Sequence, residues 1–280
     1  MNQGQGKVSA EPSPIVSETE IATFERDGAV CLRRRFAPRW TDGLSRGFAK
    51  NMAEPGPNAS CFTPAGNPGG YFDDFGNWDR IAEYRDFVFD SPAAELAGRL
   101  MRSREARLFL ENMLIKEPGT LEASPWHQDL PYYCVAGERL CSIWLPLDAV
   151  PRAACVEFVA GSHRWGRMFT PRRFADHRDY GYPAGTFEPL PDIEARREDY
   201  DILSWEVEPG DCIVFHMLTL HRAPATARLA TRRRAFSTRW LGDDAVYAVR
   251  PGPTFPAIPG LDLKPGQPLE HPAFPLVWRA

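Results

Sequence analysis

Pro209-Gly-Asp-Cys-Ile-Val-Phe-His-Met-Leu-Thr-Leu-His221 is the stretch that decides the fold. A Pro-Gly-Asp turn opens it, an apolar run follows and a histidine closes it, so it reads as a buried strand ending at a cavity mouth. The same texture recurs around it. Residues 108–116, 140–147, 156–159 and 233–240 are short apolar or alternating runs, each bounded by Pro, Gly or Asp. With 27 Pro and 22 Gly spread along the chain, many short strands joined by turns are expected rather than one disordered tract.

Upstream of residue 107 the pattern is helical. Ser17-x-x-Glu20 has the form of a capping box opening a helix that Asp27-Gly28 ends, with a short strand from Ala29 to Leu32. A second helix is expected over 40–52, a loop over 54–80, and a helix from the Ser91-Pro92 pair to about 103. Helices first and strands after predict a mainly β fold with flanking helices: a double-stranded β-helix (jelly roll, cupin-like) core supported by N-terminal helices. The expected organisation is a flexible tail over 1–15 and a single domain over 16–280. A polar insert at about 163–200 lacks periodicity and reads as a lid.

The bulk numbers exclude several function classes. A formal charge of −4 argues against nucleic acid as a partner, which requires a net basic face. No apolar run approaches the roughly 18 residues that span a bilayer, and residues 1–15 hold no hydrophobic signal core, so no membrane role is expected. The six cysteines show no C-x-x-C pairing and read as reduced thiols of a cytoplasmic protein. A small-molecule substrate is the expected partner; the oligomeric state is not legible.

The chemistry sits in Trp126-His127-Gln128-Asp129 together with the distant His221. His-x-Asp plus a far histidine is the ligand set of a facial iron(II) site, which fills one octahedral face and leaves the other open. Pro125 biases the backbone away from helix, so His127 and Asp129 at i and i+2 face one side of an extended segment. A second His-x-Asp, His177-Arg178-Asp179, lies in a charged stretch and reads as solvated loop. His216, mid-strand, reads as a satisfied core histidine. An arginine twelve residues past the distal histidine, Arg233, opens a period-2 strand with small Ala235 and Ser237 on its face, leaving room for a carboxylate ligand. The equivalent Arg228 after His216 reads as loop. A guanidinium forks two donors onto one carboxylate, which suits the free end of 2-oxoglutarate.

These motifs resemble the phytanoyl-CoA dioxygenase (PhyH) family of iron(II)/2-oxoglutarate oxygenases. The resemblance rests on Met113-Leu-Ile-Lys-Glu-Pro, Trp126-His-Gln-Asp-Leu-Pro-Tyr-Tyr and Trp144-Leu-Pro-Leu-Asp148. It continues through Val156-Glu-Phe-Val-Ala-Gly-Ser-His163, Pro209-Gly-Asp, His221 and Arg233-Arg-Ala-Phe-Ser, in family order over about residues 20–245. It implies that His127, Asp129 and His221 ligate Fe(II), that Arg233 binds the distal carboxylate of 2-oxoglutarate, that Met113 and Trp144 wall the co-substrate pocket, and that Gln128 lies beside the metal.

The reaction implied is hydroxylation of an unactivated C–H of a small organic molecule by O2, with release of succinate and CO2. A 2-oxoglutarate-dependent desaturase, epimerase or cyclase would use the same scaffold, and a non-catalytic β-sandwich binding module would use no metal. A carboxylate at 129 fills the position a halide would need, so halogenation is disfavoured. Two departures from the family stand out. Ala223 replaces a small hydroxyl residue two positions past the distal histidine, and the arginine is one residue farther than in some relatives, so Arg232 is an alternative to Arg233. Tyr132, Tyr133, Trp165 and Phe169 are candidates for an apolar substrate pocket, and His163 for a substrate contact.

Overall fold

The computed structural model describes residues 15–61, 69–121, 123–174, 178–226 and 231–280; the tail, His177 and Arg228 lie outside them. Four helices, α1 (Glu18–Asp27), α2 (Pro38–Ala53), α3 (Ala82–Asp90) and α4 (Ala93–Leu100), precede or interleave with the first strands. The strands are β1 (Ala29–Leu32), β2 (Ser60–Cys61), β3 (Tyr71–Phe75), β4 (Glu105–Lys116), β5 (Val135–Ala136), β6 (Leu140–Pro146) and β7 (Glu157–Val159). They continue as β8 (Ile202–Leu203), β9 (Cys212–His216), β10 (His221–Arg222), β11 (Arg233–Leu241), β12 (Val246–Tyr247) and β13 (Leu276–Arg279).

The large antiparallel sheet runs β1-β9-β6-β11-β4-β3-β2, with β13 also on β4, and a smaller sheet runs β10-β7-β8. This is the expected jelly-roll core with helical support. The strands expected from sequence are present except that the run over 212–221 is broken: β9 ends at His216, a turn follows, and His221 opens β10 in the smaller sheet. The stretch 54–80, read as loop, also contains β2 and β3, and α3 was not anticipated. Both omissions have one cause: β3 is Tyr-Phe-Asp-Asp-Phe inside a Gly- and Asn-rich segment, and α3 is short, so tertiary pairing rather than local propensity makes them.

Alternation along β11 divides the sheet into two faces. Phe236 and Trp240 point to the helices, and Phe236 meets Phe48, Tyr84 and Phe87 at ring-centroid distances of 6.2, 4.7 and 5.4 Å. Ala235, Ser237 and Arg239 point the other way, toward the interior. The helices seal the back of the sheet because they pack closely. A Cβ on Gly47 of α2 would lie 2.6 Å from Tyr84 of α3, so only glycine permits that approach. The capping box expected at α1 is present: Ser17 Oγ accepts from the Glu20 N–H at 3.3 Å and Glu20 accepts from the Ser17 N–H at 2.8 Å. Gly28 then ends the helix at φ 75°, a conformation that favours glycine.

Candidate metal centre

His127 and His221 are joined directly as an antiparallel bridge. The His127 N–H donates to the His221 carbonyl at 3.0 Å, and the His221 N–H donates back at 2.9 Å. Paired residues in such a bridge project to the same side, and the rings stand 4.1 Å apart between centroids. Asp129 follows two residues later, held by its N–H on the Met217 carbonyl at 2.9 Å, so its carboxylate joins the imidazoles. Its Oδ1 lies 3.7 Å from Nε2 of each histidine, and the three side chains form a cluster of potential metal ligands whose donor atoms all fall within 4.8 Å of one another.

The donor chemistry fits a divalent cation. His127 Nδ1 lies 2.8 Å from the Pro125 carbonyl and His221 Nδ1 lies 2.9 Å from the Thr219 carbonyl. A carbonyl only accepts, so each Nδ1 carries the proton and each Nε2 presents a lone pair to the common centre. Burial, reinforced by the neighbouring His221, pushes the His127 imidazole down to about 3, and burial lowers His221 against the pull of Asp129. Burial alone would raise the Asp129 carboxyl, but Arg239, both imidazoles and the Ser142 hydroxyl outweigh it and hold it ionised. Two neutral imidazoles and one carboxylate are thus available at neutral pH, the state a metal requires.

The cluster opens into a cavity of about 500 Å³. Arg233 lines it, is buried, and donates from Nη1 to the Ala154 carbonyl at 2.6 Å. Burial lowers its pKa, yet a guanidinium starts so high that it remains a cation. Arg232, the alternative, turns outward and pairs with Glu117 at 2.7 Å, while Arg234 pairs with Asp148 at 2.7 Å. Of the three consecutive arginines, the cavity takes only Arg233. Trp144 also lines the cavity. Ala223 also lines it, and its N–H donates to the Ser124 hydroxyl at 2.7 Å. Ser124 thereby brings a hydroxyl to the position where Ala223 offers none.

Met113, expected in the co-substrate wall, and Gln128, expected beside the metal, point elsewhere. Met113 lies on the helix side of β4, where its sulfur accepts from Tyr84 Oη at 3.1 Å and from Asn51 at 3.5 Å. Its neighbours Asn112 and Leu114 face the cavity instead, because successive residues of a strand alternate. Gln128 is flanked by two ligands and therefore faces away from them. It donates to the Arg167 and Leu218 carbonyls at 3.1 and 2.9 Å and accepts from the Phe169 N–H at 3.0 Å, tying the insert to the β9–β10 turn. Tyr132 and Tyr133 do line the cavity, whereas Trp165 and Phe169 pack in a separate cluster with Trp126.

His216 is satisfied at both nitrogens, by the Glu138 carbonyl at 2.9 Å and the Leu218 N–H at 3.0 Å. His163 packs on His216 and bonds the Glu25 carbonyl, away from the cavity.

The sequence reading also missed residues. Ser142 Oγ donates to Asp129 Oδ2 at 2.9 Å, and Arg239 Nε approaches the same oxygen at 3.6 Å. Asp73 and Asn112 line the wall, and the Phe174 ring stands 4.9 Å from that of His127. Arg239 was within reach of sequence reasoning, since it follows Arg233 by six residues on a period-2 strand. Asp73 was not, because β3 carried no strand signal.

Comparison with known proteins agrees with this geometry. The model of the phytanoyl-CoA dioxygenase (PhyH) family matches residues 24–235. The chain belongs to the phytanoyl-CoA dioxygenase family. That family assignment carries iron and 2-oxoglutarate as cofactors, and His127, Asp129 and His221 are the cluster of potential metal ligands among the described residues.

A probable phytanoyl-CoA dioxygenase of Caenorhabditis elegans is 28% identical over 145 residues, covering 48% of this chain and 43% of that protein. The match thus spans under half the curated relative's length. Among solved structures, the non-heme alpha-ketoglutarate-dependent carbocyclase SnoK superposes with a TM-score of 0.73 at 21% identity, covering 96% of this chain and all of the other. EctD from S. alaskensis, solved with 2-oxoglutarate and 5-hydroxyectoine, gives 0.66 at 16% identity, covering 94% and 88%. These likenesses place the chain in the same fold as both.

Proposed function

We propose that this family member is an iron(II)- and 2-oxoglutarate-dependent dioxygenase that hydroxylates a C–H bond of a small organic molecule, with release of succinate and CO2. One observation carries the reading: the His127–Asp129–His221 cluster and the buried Arg233 line one cavity. His127, Asp129 and His221 would hold the iron, which when loaded supplies the oxidising chemistry for O2 and 2-oxoglutarate. Every other contribution is the chain's own. Arg233 would bind the distal carboxylate, aided by the Ser124 hydroxyl, and Trp144 would form the adjoining wall. The seal of α2 and α3 behind the sheet keeps water from that side of the cavity.

The insert over 163–200 supports a lid role, since Phe174 and Tyr180 reach the cavity from it. A cavity of this size suits a small molecule. No described helix is long and apolar enough to cross a membrane, and cysteines without any C-x-x-C spacing support placement in the reducing cytoplasm. The test is succinate release from 2-oxoglutarate with iron(II) and ascorbate across a metabolite panel, with mass analysis of the product. A gain of one oxygen atom supports hydroxylation, and a loss of two hydrogens or an unchanged mass supports desaturation or epimerisation instead. Absence of iron and 2-oxoglutarate binding would end the reading.

A further inference from the structure

The cavity wall formed by β3, β4 and β11 carries a polar group beside the metal-ligand cluster. Asp73 on β3, Asn112 on β4 and Arg239 on β11 all line the cavity. In the paired register Asp73 lies opposite Leu114, Asn112 opposite Ser237, and Arg239 opposite Leu110. The three therefore step diagonally across adjacent strands, on rows separate from that of Arg233, which pairs with Lys116. Their hydrogen bonding is incomplete. Asp73 Oδ1, Asn112 Oδ1, Arg239 Nε and Arg239 Nη1 are closed to solvent and have no hydrogen-bond partner, although Asn112 and Arg239 are 7% and 8% exposed. A folded chain retains such unmade bonds at a cost, and they concentrate where a ligand completes them.

We propose that Asp73, Asn112 and Arg239 form the substrate-recognition wall of this cavity, and that they take an uncharged ring compound through its free hydroxyl groups. This rests on the functional reading above and names the substrate class for the same site. The two unpaired oxygens call for donors, and the guanidinium calls for an oxygen acceptor; a hydroxyl is both. Charge argues against ionic substrates. Arg239 interacts with Asp73 and Asp129 together, so its charge is already countered and the wall offers no unbalanced charge to an ionic substrate. Burial pushes the Asp73 carboxyl up to about 7 against the pull of Arg239 and of the Asn112 hydrogen bond, so near neutral pH it can accept from a hydroxyl or donate to one. The adjoining walls are aromatic, with Phe75 and Phe255 4.3 Å apart between centroids and Tyr132 opposite Phe174, which suits a flat apolar body. Because Arg239 also touches Asp129, a hydroxyl seated here would place the ring beside the metal.

The experiment uses the full chain with iron(II) and 2-oxoglutarate, without oxygen. The probes are hydroxylated two- and three-ring compounds, each paired with its fully O-methylated ether, and binding is read by thermal shift and by change in the visible iron–2-oxoglutarate band. At least one free-hydroxyl member should bind tenfold or more tightly than its ether, and Asp73→Asn and Asn112→Leu should each erase that preference. Asp73→Asn without ligand should melt no lower than wild type, because it removes a buried charge that lacks a full set of partners. Equal binding of ethers and alcohols, binding of no probe, retention of the preference in the variants, or a large fall in the Asp73→Asn melting temperature would each overturn the inference. Failure of wild type to bind iron(II) or 2-oxoglutarate would instead overturn the functional reading beneath it.

Discussion

Ser142 and Arg239 face one another across β6 and β11, and both address the same oxygen of Asp129, at 2.9 and 3.6 Å. One strand pair thus orients the carboxylate from the side opposite the imidazoles, leaving Oδ1 toward them. Outer partners of this kind fix a ligand's rotamer and its ionised state. Ser142→Ala is expected to weaken iron(II) affinity by about tenfold while leaving the melting temperature of the metal-free protein little changed. Metal titration against the melt separates the two effects.

Arg233→Ala is expected to cost 2-oxoglutarate affinity about 2–4 kcal/mol, roughly 30- to 1,000-fold, the range for losing one partner of a buried charge pair. Arg232→Ala, which removes only a surface pair with Glu117, should change it less than about threefold. Direct 2-oxoglutarate titration of the two variants decides between the arginines. A larger effect from Arg232 would reverse the assignment.

Met113→Ala and Leu114→Ala test the corrected face of β4. Met113 is packed against Tyr84 and Asn51, so its truncation should destabilise by about 2–5 kcal/mol with 2-oxoglutarate affinity unaltered. Leu114 lines the cavity, and its truncation should change co-substrate or substrate affinity more than stability. Chemical denaturation and ligand titration together read both outcomes.

Glu111 gives a pH signature. Burial pushes its carboxyl up to about 8, opposed by the Asn77 N–H and reinforced by Asp79 and Asp74, and Oε2 has no partner. The folded state therefore holds this proton more tightly than the unfolded state. Its contribution to stability is complete below about 4.5 and is lost as pH rises through about 8. Glu111→Gln should remove that slope, so that the variant melts several degrees above wild type at pH 9 and near it at pH 5. Parallel slopes in the two proteins would refute the assignment.

Much of this fold was readable in advance because its strands are bounded runs and its first helix is capped. The β11 alternation that sends Phe236 to the helices and Arg233 to the cavity is visible in the letters alone. The juxtaposition of the candidate ligands was equally readable, since i and i+2 spacing fixes His127 and Asp129 on one side. What the letters concealed was phase and pairing. Met113 was assigned to the wrong face because a motif match does not state which of two adjacent residues points inward. Gln128 was assigned beside the metal by the same resemblance, whereas a residue between His127 and Asp129 in an extended chain points to the opposite side. Asp73 was hidden because β3 exists only by pairing with β4, a contact no local pattern announces.

The two-faced character of β4 and β11 has an implication for how this scaffold diversifies. Residues that interlock with α2 and α3 occupy one parity of each strand, and residues that meet small molecules occupy the other. A lineage can therefore exchange one register of side chains without disturbing its neighbours' packing. Chemical appetite and mechanical integrity are written on alternate letters of the same two strands, and drift in one need not be repaired in the other.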